Sequence, residues 1–297
     1  MKKFPMFLTW ILPRPARHAP AQREVQSLTS PCAASRPCAL QGRIALVGAG
    51  PGAADLLTLR AVQRLQEADI IFYDRLVDPA VLDMARPEAE RVFVGKEVGV
   101  CSWPQDRINT VIVAAAKQGK TVVRLKSGDP GIFGRIAEEL DAARNAGIPV
   151  EIVPGITAAS GAAASLGRGL TERGATDRLM LATAACKLGD PQPDWAGMLH
   201  PGTSLAVYMG VRQARLIVET LRHAGVPMSL KVDIVSQAST PREKLARCTL
   251  GSMASVMQDE RLENPAVILV SWPKEATTQF SSVAAARTQA VQIPHSF

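Results

Sequence analysis

The sequence predicts an α/β protein made of two domains. Three observations lead there. Short β-branched runs recur and end on Gly, Pro or Asp; longer segments of helical period separate them; and a Gly- and Ala-rich stretch at 155–169 divides the series into two sets. The expected boundaries are an N-terminal extension over 1–42, an N-terminal α/β domain over 43–160, a C-terminal α/β domain over 161–275 and a tail over 276–297.

Residues 1–42 hold six prolines and no apolar period, so they are expected to be disordered, or to result from a start placed too early. Lys2 and Lys3 before the apolar run 4–12 also allow a signal peptide, which Pro5 and the Arg-Pro-rich continuation disfavour. Arg43–Val47 then reads as a buried parallel strand ending at Gly48. Thr58 caps a helix in which Leu59, Val62, Leu65 and Ala68 share a face. Strands are expected at 69–73, 91–94, 121–125 and 150–153, with helices near 104–118 and 134–146, the second stopped by Gly147. This alternation is βαβ grammar and predicts a mostly parallel sheet. The second set has strands at 179–183, 204–209, 231–235 and 266–271, with helices near 211–224 and 251–259. The small residues of 155–168 are expected to let the two domains pack closely, and ligand clefts commonly form at such junctions.

Composition excludes several classes. The chain has 297 residues, of which 47% are hydrophobic and 21% charged, as in ordinary globular proteins. The longest apolar runs are interrupted well short of the roughly 18–20 residues that span a bilayer, so no membrane association is expected. The net charge is +7, but residues 1–42 carry five of that excess, and aromatics are only 4%. A nucleic-acid partner would call for a basic, aromatic-bearing body, and none is expected. The cysteines, Cys32, Cys38, Cys101, Cys186 and Cys248, form no Cys-x-x-Cys pair and stand near no histidine at ligand spacing. A reducing, cytoplasmic setting and no metal follow as expectations. His200 and His223, the two histidines outside the tails, lie in polar turn contexts that do not suit a hydrolase triad.

The turn after the first strand, Gly48-Ala49-Gly50-Pro51-Gly52-Ala53, formally matches Gly-x-Gly-x-x-Ala, and Asp74 ends the second strand where a ribose-binding acid would stand. Pro51 removes a donor from that loop, and the helix begins several residues late for a phosphate cradle. On these residues a nicotinamide-dependent oxidoreductase and a non-catalytic binding module both stay open. The loop 126–135 (KSGDPGIFGR) is Gly-rich but lacks the Gly-Lys-Ser/Thr of a P-loop. With 153–160 and 207–210, it follows a strand's carboxyl end, the edge where open α/β sheets bind ligands.

Taken in order, GAGPG, IIFYDRLV, VGK, KSGDPGIFGR, VPGITAAS, YMG and NPAVILV resemble the tetrapyrrole methylase superfamily, and within it the uroporphyrinogen-III C-methyltransferases, from about Gly42 to Pro273. The resemblance implies that superfamily's two-domain fold, a homodimer, and S-adenosylmethionine held in a cleft between the domains. It also implies a small-molecule tetrapyrrole substrate, methylated twice to precorrin-2 on the way to sirohaem or cobalamin. A methylase of a later precorrin is the alternative within the superfamily. With no room ahead for a dehydrogenase and ferrochelatase module, the chain is expected to be monofunctional.

Carried over residue by residue, Pro51, Ser127, Gly128, Asp129, Ile132, Thr157, Ala158, Met209, Ala238 and Ala266 match cofactor-binding positions. Asp74 and Lys96 match the proton acceptor and proton donor. Arg75, Arg124, Arg135 and Arg173 are candidate anchors for the substrate's carboxylates. The chain departs from the superfamily's pattern at Ser127, at Glu172 and Gly174, at Ala184 and Ala185, and at Ala238-Ser239. These departures bear on substrate positioning and leave Asp74 and Lys96 in place.

Overall fold

A computed structural model describes residues 42–95, 103–185, 189 and 191–274. The expectations for 1–41 and for the tail beyond 274 therefore lie outside the described residues, as does Lys96.

The first half runs β1 (Arg43–Gly48), α1 (Leu59–Glu67), β2 (Ile70–Tyr73), α2 (Pro79–Leu82), β3 (Glu90–Phe93), α3 (Gln105–Lys117), β4 (Thr121–Lys126), α4 (Ile136–Asn145) and β5 (Val150–Val153). Its five strands are all parallel, in the order β3-β2-β4-β1-β5. Both faces are covered, as a parallel sheet requires. In β1, Ala45 and Val47 join the cluster under α1 and α2, whereas Ile44 and Leu46 join the one under α3 and α4. Thr58 caps α1 by accepting the amide of Ala61. The apolar face of α1 differs from the expected one: Ala61, Leu65 and Ala68 are fully buried, but Leu59 is 84% exposed. Standing at the first helical position, Leu59 precedes the turn that meets the sheet.

The helix α5 (Ala158–Ser165) leads into the second half. There β6 (Arg178–Thr183), α6 (Trp195–Met198), β7 (Thr203–Tyr208), α7 (Ala214–His223), β8 (Lys231–Ser236), β9 (Lys244–Thr249), α8 (Met253–Asp259) and β10 (Ala266–Trp272) follow. The sheet is mixed, ordered β6-β7-β10-β8-β9, with only β6 and β7 parallel. One face packs on α6, α7 and α8 around the fully buried Trp195. The other face receives α5, whose Ala159 and Ala162 pack with Ala206, Val235, Val267 and Leu269. Sequence periodicity hides α5, because AASGAAAS has no polar face to contrast with an apolar one. The edge strand β9 is hidden too. Its Lys244 and Arg247 interrupt the apolar run, and charges of this kind are what an edge strand tolerates. Among the described residues no helix is long and apolar enough to cross a membrane.

At the carboxyl edge of the first sheet, three backbones touch. A Cβ on Gly48 would lie 2.6 Å from the Gly155 nitrogen and 2.7 Å from the Gly128 carbonyl oxygen, and one on Gly155 would lie 2.3 Å from that same oxygen. Gly50 and Gly128 also exchange backbone hydrogen bonds of 3.2 and 2.7 Å. The loops after β1, β4 and β5 are thereby fixed side by side. Asp129 fastens them, accepting from the amides of Gly131 (2.7 Å) and Gly155 (3.0 Å).

Two carboxylates tie the sheet together elsewhere. Asp69 accepts from the Thr121 amide at 2.7 Å and pairs with Arg86, while Glu151 on β5 pairs with Arg64 of α1 at 2.6 Å. The Thr121 amide bond, with Arg86, holds the Asp69 carboxyl below its usual value; the Arg64 hydrogen bond does the same for Glu151.

Two outcomes are expected. Replacing Gly48 by Ala drives a Cβ into backbone and should cost about 2–3 kcal/mol in urea unfolding. Gly225→Ala, at φ +77° with no atom within 4 Å of its Cβ, should cost only about 1 kcal/mol, through conformation alone. Equal costs would contradict the three-backbone contact. Separately, Asp69 and Glu151 release their protons more readily when folded than when unfolded. Their stabilisation is therefore full above the ordinary carboxylate range near pH 4 and drains away as pH falls through the lowered values. Asp69→Asn with Glu151→Gln should lower the melting temperature at neutral pH and flatten its decline between about pH 6 and pH 3; an unchanged acid limb would refute the assignment.

Candidate active site

Two adjoining cavities, of about 290 and 160 Å³, open beside the fastened loops and are lined by residues of both halves. Leu76, Ser127, Pro265 and Ala266 belong to both. The larger holds Gly128, Asp129, Ile132, Thr157, Ala158 and Met209, with Asp74, Arg124 and Arg135. The smaller holds Pro51, Ala238 and Arg75. The fold thus gathers all ten residues matched to cofactor positions, drawn from six separate stretches of chain, around adjoining spaces. Arg173 is not among them: it is exposed in the turn bridged by Glu172 and Thr176 and lines neither cavity. The family-matched partner of Asp74, Lys96, lies outside the described residues.

The glycine turn after β1 does not form a phosphate cradle. Gly48 and Gly50 are engaged with the backbones of Gly128 and Gly155, and Thr58 occupies the N-terminus of α1, eight residues beyond Gly50. Pro51 instead abuts α5, where a Cβ on Gly161 would meet its ring at 2.8 Å. This contact explains why α5 needs glycine at that turn.

The wall carries residues that stand inside the quoted motifs YMG and KSGDPGIFGR but were matched to no role. The Tyr208 hydroxyl lies 2.6 Å from Thr157 Oγ1 and accepts the Ala159 amide at 3.0 Å, joining the end of β7 to the start of α5. Phe133 packs on the Tyr208 ring with centroids 5.0 Å apart, so the loop after β4 meets β7 across the larger cavity. Four lining residues other than glycine are left-handed: Phe133 (φ 53°), Arg135 (φ 55°), Met209 (φ 56°) and Gln237 (φ 52°). Such conformations cost energy and cluster at ligand sites. No residue type here signals them, since none is Gly or Asn.

The floor of the larger cavity is ionic. Glu139 of α4 has a side chain with no solvent exposure; its Oε1 lies 2.9 Å from Lys126 Nζ, 3.2 Å from Arg124 Nε and 3.2 Å from Gln105 Nε2. Its Oε2 lies 3.0 Å from the same Nζ. Arg124 donates through Nη1 to the carbonyls of Leu125 (2.7 Å) and Phe72 (3.4 Å), and its Nη2 faces Asp74 Oδ2 at 3.6 Å. It is therefore part of the built floor rather than a free surface anchor. Burial, then the Arg124 guanidinium, push the Lys126 ammonium below its usual value, and Glu139 opposes them. Asp74 accepts the Leu76 amide at 3.1 Å through Oδ1, and its side chain, 28% exposed, turns toward the cavity. Arg135 is held by a two-pronged pair with Glu138 at 2.7 and 2.6 Å.

Chemically, a carboxylate open to the cavity stands beside buried cations, and small side chains and backbone form the rest of the wall. This suits holding a compact ligand with a cationic centre against a second, anionic one, with a group in place to take up a proton.

Comparison with known proteins gives a consistent picture. The family model described as Tetrapyrrole (Corrin/Porphyrin) Methylases matches residues 43–254. A siroheme synthase of Zymomonas mobilis is 46% identical over 230 residues, covering 77% of this chain and 48% of that protein. One of Yersinia enterocolitica is 43% identical over 234 residues, with 79% and 49% covered. The chain spans about half the length of these curated relatives. Among solved structures, the uroporphyrin-III C-methyl transferase of Thermus thermophilus complexed with S-adenosyl homocysteine has a TM-score of 0.66 and 37% identity, over 77% of this chain and 97% of that one. A cobalt precorrin-4 methyltransferase of cobalamin biosynthesis has a TM-score of 0.68 and 26% identity, over 77% and 95%.

Tyr208→Phe removes the hydroxyl shared by Thr157 and Ala159 and should cost about 1–2 kcal/mol in denaturant unfolding, because a part-buried amide loses its acceptor. A variant as stable as the parent would mean that the hydroxyl does not join β7 to α5.

Proposed function

The chain belongs to the tetrapyrrole (corrin/porphyrin) methylases, and on that premise we propose that it uses S-adenosylmethionine to methylate uroporphyrinogen III at two carbon atoms, giving precorrin-2 for sirohaem or cobalamin. The observation that carries this reading is the convergence of the ten family-matched residues on adjoining cavities beside Asp74. The lining fits a bulky sulfonium methyl donor. Backbone and small side chains at Gly128, Ala158, Ala238 and Ala266 leave room for close approach, and Met209 offers an exposed, polarisable face.

In this reading Pro51, Ser127, Gly128, Asp129, Ile132, Thr157, Ala158, Met209, Ala238 and Ala266 hold the donor. When bound, it supplies an electrophilic sulfonium methyl, so the protein need not activate a nucleophile of its own. Its contribution is alignment of the two ligands and exclusion of water. Asp74 lies where it can stabilise positive charge on an alkylated macrocycle and then take up the proton released from carbon. Lys96 is proposed as the proton donor. Arg75 and Arg135, at the margins of the cavities, are the proposed partners of the substrate's carboxylates. The same reading carries a homodimer and two domains, 43–160 and 161–275, that meet at α5. Ser127, where the family usually has glycine, stands in the wall common to both cavities and narrows it.

A methylase acting on a later precorrin is the second reading, favoured by the fold likeness to the cobalt precorrin-4 enzyme. Higher identity to the uroporphyrin-III enzyme supports the first. Anaerobic incubation with S-adenosylmethionine and fresh uroporphyrinogen III, followed by mass spectrometry, separates them: two added methyls support the first reading, and donor binding without transfer supports the second. Asp74→Ala should lower methyl transfer by about a thousandfold, within the range for loss of a general base, while donor affinity measured by calorimetry stays within about threefold. A variant that retains its rate would remove Asp74 from the proton-accepting role.

A further inference from the structure

Glu139 is the most deeply buried charged side chain at the site, and the methyl-transfer reading gives it no part. It cannot touch a ligand, since none of its side chain is exposed and its oxygens are taken by Lys126, Arg124 and Gln105. Lys126 and Arg124, each with a side chain only 6% exposed, stand between it and the larger cavity, which both of them line. With Asp74 they form a floor of two cations and two carboxylates. A buried charge of this kind is costly unless balanced, and Glu139 supplies the balance that Asp74, 3.6 Å from Arg124 alone, does not.

We infer that Glu139 is a positioning residue that sets the net charge of the cavity floor, and through it the preference of the site for the cationic methyl donor over its uncharged product. This rests on the methyl-transfer reading. S-adenosylmethionine and S-adenosylhomocysteine differ by the methyl group and the sulfonium charge that goes with it; their remaining groups are the same. A change in floor charge therefore acts on one and spares the other. A neutral floor accepts the sulfonium. A floor one unit more positive repels it, and for unit charges separated by the order of 10 Å in a partly hydrated medium Coulomb's law gives an effect of about five- to twentyfold on a cation's affinity. A purely architectural Glu139 predicts something else: its loss would deform the cavity and weaken both ligands together.

The test is calorimetric titration of the full-length protein at neutral pH with each ligand separately. Glu139→Gln, nearly isosteric, should raise the ratio of the donor's Kd to the product's Kd by about five- to twentyfold. Glu139→Asp, which keeps the charge, should hold the ratio near its parent value. Lys126→Gln should lower it, and the double variant Glu139→Gln with Lys126→Gln, neutral again, should restore it. A ratio unmoved in Glu139→Gln while both affinities fall would overturn the inference and leave the methyltransferase reading standing. Should Glu139→Gln not fold, Lys126→Gln decides alone, since an unchanged ratio there is equally fatal. Parent protein that binds neither ligand would instead overturn the functional reading and this inference with it.

Discussion

The contact of three glycine backbones at the carboxyl edge of the first sheet is the constraint from which the site follows. Gly48, Gly128 and Gly155 come from three adjacent strand ends, and no side chain fits between them. Because these backbones touch, the loops that leave β1, β4 and β5 cannot move independently, and the carboxylate of Asp129 fastens two of them further. The larger cavity is bounded by the loops after β4 and β5, and the smaller one by the loop after β1. Parallel strands alone would bring the loops to one edge. Only the close approach sets their spacing.

On that base the protein places two kinds of cost. One is conformational: Phe133, Arg135, Met209 and Gln237 are left-handed around the cavities without being glycine. The other is electrostatic: Arg124, Lys126 and Glu139 are buried together at the floor. Neither adds to stability as an apolar cluster of the same volume would. Each is sustained by packing elsewhere, in the double-faced burial of the first sheet and the Trp195-centred cluster of the second. Concentration of strain and buried charge at one place is what a ligand site looks like physically, before any family is named.

The second half contributes by way of α5. Its small residues let the helix lie against β7, β8 and β10 while Gly161 leaves space for Pro51 from the first half. Tyr208 then reaches from the end of β7 to Thr157 and Ala159 at the start of the same helix. The cavity walls contributed by the two halves are thus joined through one eight-residue helix.

How much of this was legible in the sequence depended on whether the information was local. All the strands but β9 stood out because each is a short apolar run between helical or turn segments, and Thr58 could be read as a cap because capping is a contact three residues long. The family-matched motifs marked the lining residues because a loop after a strand carries its own signature. The helix α5 and the edge strand β9 escaped, the first for want of polar contrast and the second through its charges. Leu59 went to the wrong side of its helix, because the period alone does not say where the sheet begins. Glu139 reads as a surface acid in a polar helix and carried no signal, whereas Tyr208 stood inside the YMG motif, where only Met209 was matched to a role. By itself the sequence determined the order of elements, the loops that carry ligands and the residue types offered there. Only the tertiary structure decided which charges are buried together and which backbones touch, because both depend on residues far apart in the chain meeting at a distance that no local pattern encodes.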